Sequence, residues 1–277
     1  MSNPHLKQRT SVRAMLDSIL RHKQLIFQMT KREVIGRYKG SSMGLAWSFL
    51  NPLFMLAVYT FVFSVAFKAR WSVGGDESKT QFALILFVGM IVHGLFAEVV
   101  NRAPTIILGN INYVKKVVYP LETLSIISLL SAIFHSIISL IVLMLAFATF
   151  NGYLHWTSIF LPAVFAPLII FCLGLSWLLS ALGVYIRDVG QTTMIITTIM
   201  MFLSPVFFPI TAIPEKFRIW IMLNPLTFII EQAREVLIWG HVPNWKGLLV
   251  YTGCASVIAW LGFAFFQKTR KGFADVL

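Results

Sequence analysis

The residue types that carry enzyme chemistry are sparse in this sequence and stand apart from one another. The chain contains no Gly-x-x-x-x-Gly-Lys-Ser/Thr phosphate loop, no His-Glu-x-x-His pair and no Cys-x-x-Cys pair. Its six histidines are scattered, and its two cysteines, Cys172 and Cys254, are far apart. The sequence therefore predicts a protein that is not an enzyme, with no metal site, no cofactor and no ATP bound through such a loop.

Ionisable residues inside apolar segments are the remaining candidates for chemistry, because a charge within a membrane segment is costly and usually functional. His93 and His135 fall within apolar runs, and Glu98 is the one carboxylate inside a predicted span. For both histidines, a neutral imidazole hydrogen-bonded to a neighbouring helix is the favoured interpretation. A lone carboxylate at one end of a span argues against an ion-coupled carrier. Energy for any transport must then come from another chain.

The elements that position these residues are predicted to be membrane-spanning helices. Hydrophobic residues make up 57% of the chain and charged residues only 12%, and the mean hydropathy is +0.78, well outside the range of ordinary soluble domains. A spanning helix needs about 20 apolar residues. The uncharged runs, divided at a turn-forming stretch around Asn151 and Gly152, predict six spans at 44–67, 82–100, 123–150, 158–186, 192–210 and 247–267.

The basic residues predict how the chain is oriented. Sixteen of the 23 Lys and Arg residues fall on the side that holds both termini, and cytoplasmic loops retain positive charge. Both termini are therefore expected in the cytoplasm, with residues 1–43 and 268–277 flanking a transmembrane domain of residues 44–267. Most of the basic N-terminus lies next to the first span, so the net charge of +12 indicates membrane lipid as a partner and not nucleic acid.

Two cytoplasmic segments are predicted to be helical without crossing the membrane. Residues 11–27 carry apolar residues at mostly helical spacing with charges between them, which predicts an amphipathic interfacial helix. This helix serves either as a membrane anchor or as a contact for a partner protein. Residues 101–122 mix apolar residues with Asn and Lys, which favours a short cytoplasmic helix over a solvated loop with a few buried apolar residues.

The external segment 211–246 is too charged to cross the membrane and too apolar for a free loop. Pro214 and Pro225 divide it, since proline ends or kinks a helix. Two short helices that re-enter the outer leaflet are therefore predicted. Glu231 and Glu235 stand one turn apart with Arg234 beside them, either as a charged gate or as an ordinary exposed helix with paired charges. The predicted fold class is thus an all-α integral membrane protein with six transmembrane helices, an N-terminal interfacial helix, a cytoplasmic coupling helix and re-entrant external helices before the last span.

Four motifs in order along the chain resemble those of the ABC-2 type polysaccharide exporter permeases. They are residues 37–53 (RYKGSSMGLAWSFLNPL), 110–122 (NINYVKKVVYPLE), 187–191 (RDVGQ), and 204–209 (SPVFFP) together with 224–226 (NPL). They stand at membrane boundaries and cover nearly the whole chain. A departure is Tyr119-Pro120-Leu121, where Phe-Pro-Arg is more familiar in that family.

The resemblance implies a permease of the bacterial inner membrane. Its partners would be a dimer of a separate cytoplasmic ABC ATPase, a second copy of itself, and a polysaccharide on an undecaprenyl-pyrophosphate carrier. O-antigen is the expected polysaccharide, and teichoic acid or capsular polysaccharide is the alternative. A membrane-embedded, lipid-linked glycosyltransferase is a remoter alternative, and the acidic catalytic cluster expected of it is missing from the loops.

Candidate site residues fall into four groups. In the first span, mostly aromatic residues recur at every fourth position, and such a row of side chains would let a glycan slide along it. On a helix of 3.6 residues per turn the row rotates by about 40° per step, so only part of it faces one conduit. The alternative is that these residues face lipid or belong to the aromatic belt at the membrane interface. The predicted substrate path is Trp47, Asn51, Met55, Tyr59, Phe63, Phe207 and Phe208; the headgroup contacts are Arg37 and Lys39; the ATPase-coupling residues are Asn110, Ile111, Val114, Lys115, Lys116, Arg187 and Asp188; and the external gate is Asn224, Pro225, Glu231, Arg234 and Glu235.

Overall fold

The computed structural model describes residues 10–66, 71, 79–115 and 119–277. Within these ranges every regular element is helical, as the sequence predicts. The α-helices are α1 (Val12–Arg21), α2 (Lys23–Arg37), α3 (Ala46–Tyr59), α4 (Lys79–Arg102), α5 (Ile111–Lys115), α6 (Glu122–Asn151), α7 (Leu161–Tyr185), α8 (Val189–Phe202), α9 (Glu215–Met222), α10 (Pro225–Arg234), α11 (Trp245–Thr269) and α12 (Phe273–Val276).

Five helical segments of the described chain are long and apolar enough to cross a membrane. They are Ala46–Phe63, Thr80–Thr105, Glu122–Asn151, Trp156–Tyr185 and Trp245–Val276, and they match five of the six predicted spans. The predicted turn between the third and fourth is present, because Gly152 closes α6 in the left-handed conformation, with φ +78°. The end of the first predicted span, Phe67, lies outside the described residues.

The predicted span 192–210 is wrong in its extent. Helix α8 has 14 residues and ends at Phe202, so it rises about 21 Å, less than the thickness of about 30 Å of a bilayer core. Pro205 has no N–H to continue the helix and disfavours a helical Ser204 before it. Turns and a short 3₁₀ segment at Ile210–Ala212 follow. Hydropathy could not reveal this break because residues on both sides of it are apolar.

The two segments predicted to be cytoplasmic are more divided than the sequence predicts. The single helix expected over 11–27 is two helices, α1 and α2, which meet at His22. Ser11 caps α1 through its Oγ, which accepts a hydrogen bond from the Ala14 N–H at 3.2 Å. After α4, residues 103–115 form two short 3₁₀ turns and α5, which is the short helical segment predicted there.

The two predicted helices of the external segment are α9 and α10. Pro214 precedes α9 as its N-cap residue. Asn224 caps α10, with its Oδ1 accepting from the Leu226 N–H at 2.9 Å, and Pro225 takes the first turn, where a missing N–H has no cost. A π-helical turn, Glu235–Trp239, continues α10 toward α11.

Close contact between α7 and α11 fixes the arrangement of the later helices. A Cβ on Gly262 would lie 2.1 Å from the Gly174 carbonyl oxygen, so the two backbones touch where neither residue has a side chain. Near this crossing Trp177 packs edge-on against Phe263, with ring centroids 5.1 Å apart. This pair belongs to an apolar core near the C-terminus, which also contains Ile26 of α2 and Phe273 of α12.

Candidate functional site

A groove of about 420 Å³ runs along α3, between that helix and helices α4 and α6. Four of the predicted path residues, Trp47, Asn51, Met55 and Tyr59, line it. From Thr60 the chain continues α3 as a π-helical turn, which rotates less per residue than an α-helix. This turn offsets part of the drift expected of a row at every fourth position. Along the row, Trp47, Asn51 and Met55 line the groove but stay exposed, and Tyr59 and Phe63 are partly buried.

The loop between α2 and α3 places its residues at the mouth of this groove. Gly40 and Gly44 have positive φ values of +88° and +52°, a backbone conformation that glycine adopts without steric cost. The chain thereby turns back so that Arg37 and Tyr38, at the end of α2, line the same groove as Trp47. Lys39 is exposed in this turn and does not line the groove.

At the mouth of the groove Glu98 is surrounded by basic groups. Its Oε1 accepts a hydrogen bond from Arg37 Nη1 at 2.5 Å, lies 3.2 Å from His135 Nδ1 and lies 3.7 Å from Arg102 Nη1. Arg102 also donates to Glu33 on α2. The predicted headgroup residue Arg37 is therefore paired with a carboxylate. This cluster joins α2, α4 and α6 at one point.

Tyr38 completes the mouth of the groove. Its ring packs edge-on against the His135 imidazole, with centroids 6.1 Å apart. Burial raises the pKa of the Tyr38 phenol, Arg37 lowers it and Glu98 raises it. The phenol is thus a neutral hydrogen-bonding group beside the charged cluster.

Both histidines of the apolar runs contact a neighbouring helix. His93 Nε2 donates to the Thr197 carbonyl oxygen of α8 at 2.9 Å, which is the geometry that the sequence analysis favoured. His135 Nδ1 lies 2.9 Å from Arg37 Nη1 as well as near Glu98. With its proton on Nδ1 it donates to Glu98, and with the proton on Nε2 it accepts from Arg37. His135 is thus part of the charged cluster and not only a packing residue.

An aromatic cluster lies beyond the far end of the groove. Phe63, the fifth predicted path residue, stacks on Phe207 with centroids 5.9 Å apart and packs against Phe82 at 5.8 Å. Phe207 also stacks on Phe202 at 5.8 Å. Phe208 is partly exposed. The structure therefore brings the predicted residues of the first span together with the segment that follows α8.

Within the predicted gate, Arg234 is buried and hydrogen-bonded to three groups of the same chain. Its side chain is 1% exposed, and it donates to the carbonyl oxygens of Ile85 and Val206, at 3.2 and 3.1 Å, and to Glu231 Oε1 at 2.8 Å. Its guanidinium also lies 4.3 Å from the centroid of the Trp71 ring. Arg234 therefore anchors α10 to α4 and to the turn after α8.

The other gate residues remain at the surface or cap the helix. Glu231 and Glu235 are about one third exposed, and Glu235 Oε2 lies 2.6 Å from His241 Nδ1. Asn224, besides capping α10, donates through Nδ2 to Ser204 Oγ at 2.9 Å. This bond ties the start of α10 to the Pro205 break.

The predicted coupling residues lie in the segment after α4 and in the turn after α7. Asn110 Nδ2 donates to the Ile106 carbonyl oxygen at 2.8 Å, Ile111 is 38% exposed, and Val114 packs on the apolar core near the termini. Among the remaining members, Lys115, Arg187 and Asp188 are exposed, and Lys116 lies outside the described residues. Ile111 is thus an apolar side chain at the surface of a charged segment.

Sequence reasoning missed the partners of Arg37. Nothing near Arg37 in the chain points to Glu98 or His135, which stand 61 and 98 positions away. Two signals were available: Glu98 is the one carboxylate of a predicted span, and Arg102 follows it at the i+4 spacing of a helical ion pair. Neither signal identifies the third helix.

Comparison with known proteins shows relatives that cover nearly the whole chain. The chain is 22% identical over 259 residues to the O-antigen export system permease protein RfbA of Myxococcus xanthus, covering 93% of this chain and 96% of that protein. It is 25% identical to the RfbA protein of Klebsiella pneumoniae, covering 91% and 95%, and 21% identical to the polysialic acid transport protein KpsM of Escherichia coli, covering 87% and 91%. The ABC-2 type transporter family matches residues 24–238, and the chain belongs to that family.

Proposed function

We propose that this chain is the permease subunit of an ABC transporter that exports an undecaprenyl-pyrophosphate-linked polysaccharide, O-antigen, across the bacterial inner membrane. The groove along α3 carries the proposal, because it joins an aromatic and amide-bearing wall to a basic group at its mouth. Sugar rings present C–H faces to aromatic side chains and hydroxyl groups to amides. A wall of this kind holds a glycan at many weak points, which suits movement along it.

The path begins at the cytoplasmic mouth. Arg37 meets the diphosphate of the carrier there, and the exposed Lys39 adds positive charge in the same turn. The glycan then follows Trp47, Asn51, Met55 and Tyr59 toward the aromatic cluster of Phe63, Phe207 and Phe208. The pyrophosphate is held at the charged mouth, and the glycan moves from there toward the aromatic far end of the groove.

A separate ATPase dimer supplies the energy by binding to the segment after α4 and to the turn after α7 on the cytoplasmic side. The predicted coupling residues, from Asn110 to Lys116 together with Arg187 and Asp188, form this contact. The assignment is supported by the exposure of Ile111, Lys115, Arg187 and Asp188, which leaves these side chains available to a partner.

A second copy of the chain completes the conduit. Helices α3 and α8 expose large apolar side chains: Phe49, Leu53, Phe54 and Val58 on α3, with Phe61 in the π-helical turn after it, and Met194, Ile195, Ile196, Ile199 and Phe202 on α8. In α3 only Ser48 and Leu56 are buried. Isologous packing of these faces across a two-fold axis would enclose a path wider than one subunit offers.

Helices α9 and α10 close the outer end in this proposal. The exposed apolar residues of α9, Phe217, Ile219 and Trp220, dip back into the outer leaflet. The apolar face of α10 packs into the core of the protein. Arg234 holds α10 in place, and Glu231 and Glu235 present charge to the emerging polymer. Asn224 and Pro225 form the hinge between the two helices.

Capsular polysaccharide is the second candidate cargo. It is favoured by the similarity to KpsM and by 23% identity over 263 residues to the capsule polysaccharide export inner-membrane protein CtrC of Neisseria meningitidis. The two cargoes share the groove and the ATPase and differ in the glycan.

Deletion of the gene in the native host tests the proposal. Surface O-antigen should disappear, and its undecaprenyl-pyrophosphate-linked form should accumulate inside the cell. Re-expression of the wild-type chain should restore export, and Trp47→Ala with Tyr59→Ala should not. Leu249→Ala, at an exposed position of α11 outside the groove and outside the proposed packing face, should restore it. Accumulation of a capsular polymer would establish the second candidate, and unchanged glycan at the surface would refute export by this chain.

A further inference from the structure

Glu98 occupies a position in the groove where positively charged and hydrogen-bond-donating groups converge. Its Oε1 is within hydrogen-bonding distance of Arg37 Nη1 and His135 Nδ1, at 2.5 and 3.2 Å. These three groups come from three helices, α2, α4 and α6. A carboxylate held in this way resembles one end of a phosphate group, since both present oxygens to a planar guanidinium.

Two further polar atoms of the groove are buried and have no hydrogen-bond partner among the described residues. They are His135 Nε2 and Ser136 Oγ. Both residues line the groove beside Glu98, and Ser136 is only 8% exposed. Buried polar groups in folded proteins normally have a partner. A ligand with several oxygens would supply one to each of these atoms.

From this arrangement we infer that Arg37, His135 and Ser136 form a diphosphate-binding site, and that Glu98 fills it when no ligand is bound. An arriving diphosphate displaces the Glu98 carboxylate, takes its place on Arg37 and His135, and satisfies Ser136. The inference rests on the proposed function for the source of the diphosphate, the head group of a lipid-linked glycan, and adds how the mouth of the groove is kept closed.

A second cation makes the displacement feasible. Arg102, one helical turn from Glu98 on α4, already lies 3.7 Å from its Oε1. A change of side-chain torsion in Glu98 would bring the carboxylate onto Arg102 without leaving it unpaired. Arg37 is half-exposed, so a ligand reaches it from outside. A diphosphate also carries more negative charge than one carboxylate and more oxygens for a guanidinium to bind, so it competes well for Arg37.

Binding to the full-length protein in nanodiscs tests the inference, with inorganic pyrophosphate as the probe and inorganic phosphate as its comparison. Removing the competing carboxylate should tighten pyrophosphate binding, so Glu98→Gln and Glu98→Ala should each lower its Kd by about fivefold, the worth of one exposed ion pair. Arg37→Ala should raise the Kd by about tenfold or more.

Glu33→Gln is the matched control. Glu33 is also a carboxylate paired with Arg102, but it does not line this groove. Its loss changes the net charge as Glu98→Gln does, so its Kd should stay within about twofold of the wild type. Equal tightening by Glu33→Gln would show a general charge effect and refute the site.

A second arm separates the lipid from the free anion. Nanodiscs doped with undecaprenyl pyrophosphate should compete with soluble pyrophosphate, and nanodiscs doped with phosphatidylglycerol should not. No tightening with either Glu98 variant, or no pyrophosphate binding at all, would overturn the inference, whatever the result of the export assay. Normal binding with no export defect on gene deletion would instead overturn the proposed function and leave the site in place.

Discussion

Arg270, just beyond α11, forms a buried ion pair with Glu122 at the first position of α6. The Nη1 and Oε2 atoms are 2.8 Å apart, and the two side chains are 10% and 9% exposed. Ser18 of α1 donates to the other carboxylate oxygen at 2.7 Å, and Trp177 Nε1 of α7 donates to the Glu122 carbonyl oxygen at 2.9 Å. One residue therefore connects the N-terminal helix, the third and fourth spans, and the C-terminal segment.

Loss of the Glu122 carboxylate should destabilise the protein strongly. Glu122→Ala leaves Arg270 buried without its partner, and such a change typically costs about 3–5 kcal/mol. Thermal unfolding in detergent should show a large decrease in Tm. Asp275→Asn, which removes an exposed carboxylate of the same segment, should melt with the wild type. Equal melting of all three proteins would mean that the ion pair contributes no stability.

Arg234 should be required for the stable packing of α10. In Arg234→Gln the shorter side chain leaves the carbonyl oxygens of Ile85 and Val206 without their donors, and one unsatisfied buried group costs about 1–3 kcal/mol. The Tm should fall, and limited proteolysis should cut the segment between α8 and α10 faster. Lys216→Gln, on the exposed surface of α9, is the control, and a wild-type cleavage rate in Arg234→Gln would contradict the anchor.

Gly183 should tolerate no side chain. A Cβ there would lie 2.1 Å from the Pro104 carbonyl oxygen, so Gly183→Ala must push α7 away from the turn after α4, at a cost of about 1–3 kcal/mol. Gly253→Ala is the matched substitution in α11, because nothing lies within 4 Å of its Cβ. It should leave the Tm unchanged or raise it slightly, since alanine favours a helix. A lower Tm for Gly253→Ala than for Gly183→Ala would contradict the packing.

The orientation in the membrane is testable by labelling single cysteines in a chain without Cys172 and Cys254. Because most Lys and Arg residues lie on the side of the termini, Glu215→Cys and Tyr153→Cys should react with a membrane-impermeant thiol reagent in intact cells. Lys115→Cys should react only after the cells are opened. All three side chains are exposed, so access within the fold does not limit the comparison. Labelling of the Lys115 position in sealed cells would reverse the topology.

An acidic residue at position 111 should uncouple ATP hydrolysis from export. Ile111→Asp places a charge in the proposed apolar contact with the ATPase, and we expect the export rate per ATP hydrolysed to fall by about tenfold or more, as for a lost interface anchor. Asn112→Asp adds the same charge at the neighbouring exposed position and should retain coupling. Normal export by Ile111→Asp at normal abundance would exclude this contact.

Apolar runs and turn residues determined most of the fold from the sequence alone. The run that ends at Asn151 and Gly152 predicts α6 and its end, because a helix that must bury its backbone in lipid needs about 20 apolar residues, and glycine readily adopts the left-handed conformation that ends it. Pro214 and Pro225 likewise predict the division of the segment after α8 into two short helices, α9 and α10. These signals are local, since each depends on residues that are neighbours in the chain.

Tertiary structure decided where the charged side chains act. Arg234 was predicted as gate charge near an emerging ligand, but its carbonyl partners, Ile85 and Val206, are 149 and 28 positions away. Arg37 was predicted as a headgroup contact, yet the packing of α2 on α4 and α6 supplies Glu98 and His135 as its partners. A single sequence predicts where the helices are, because their patterns are local, but it does not predict which helix faces pack together. The ionic partners of a side chain depend on that packing, so the sequence alone does not predict them.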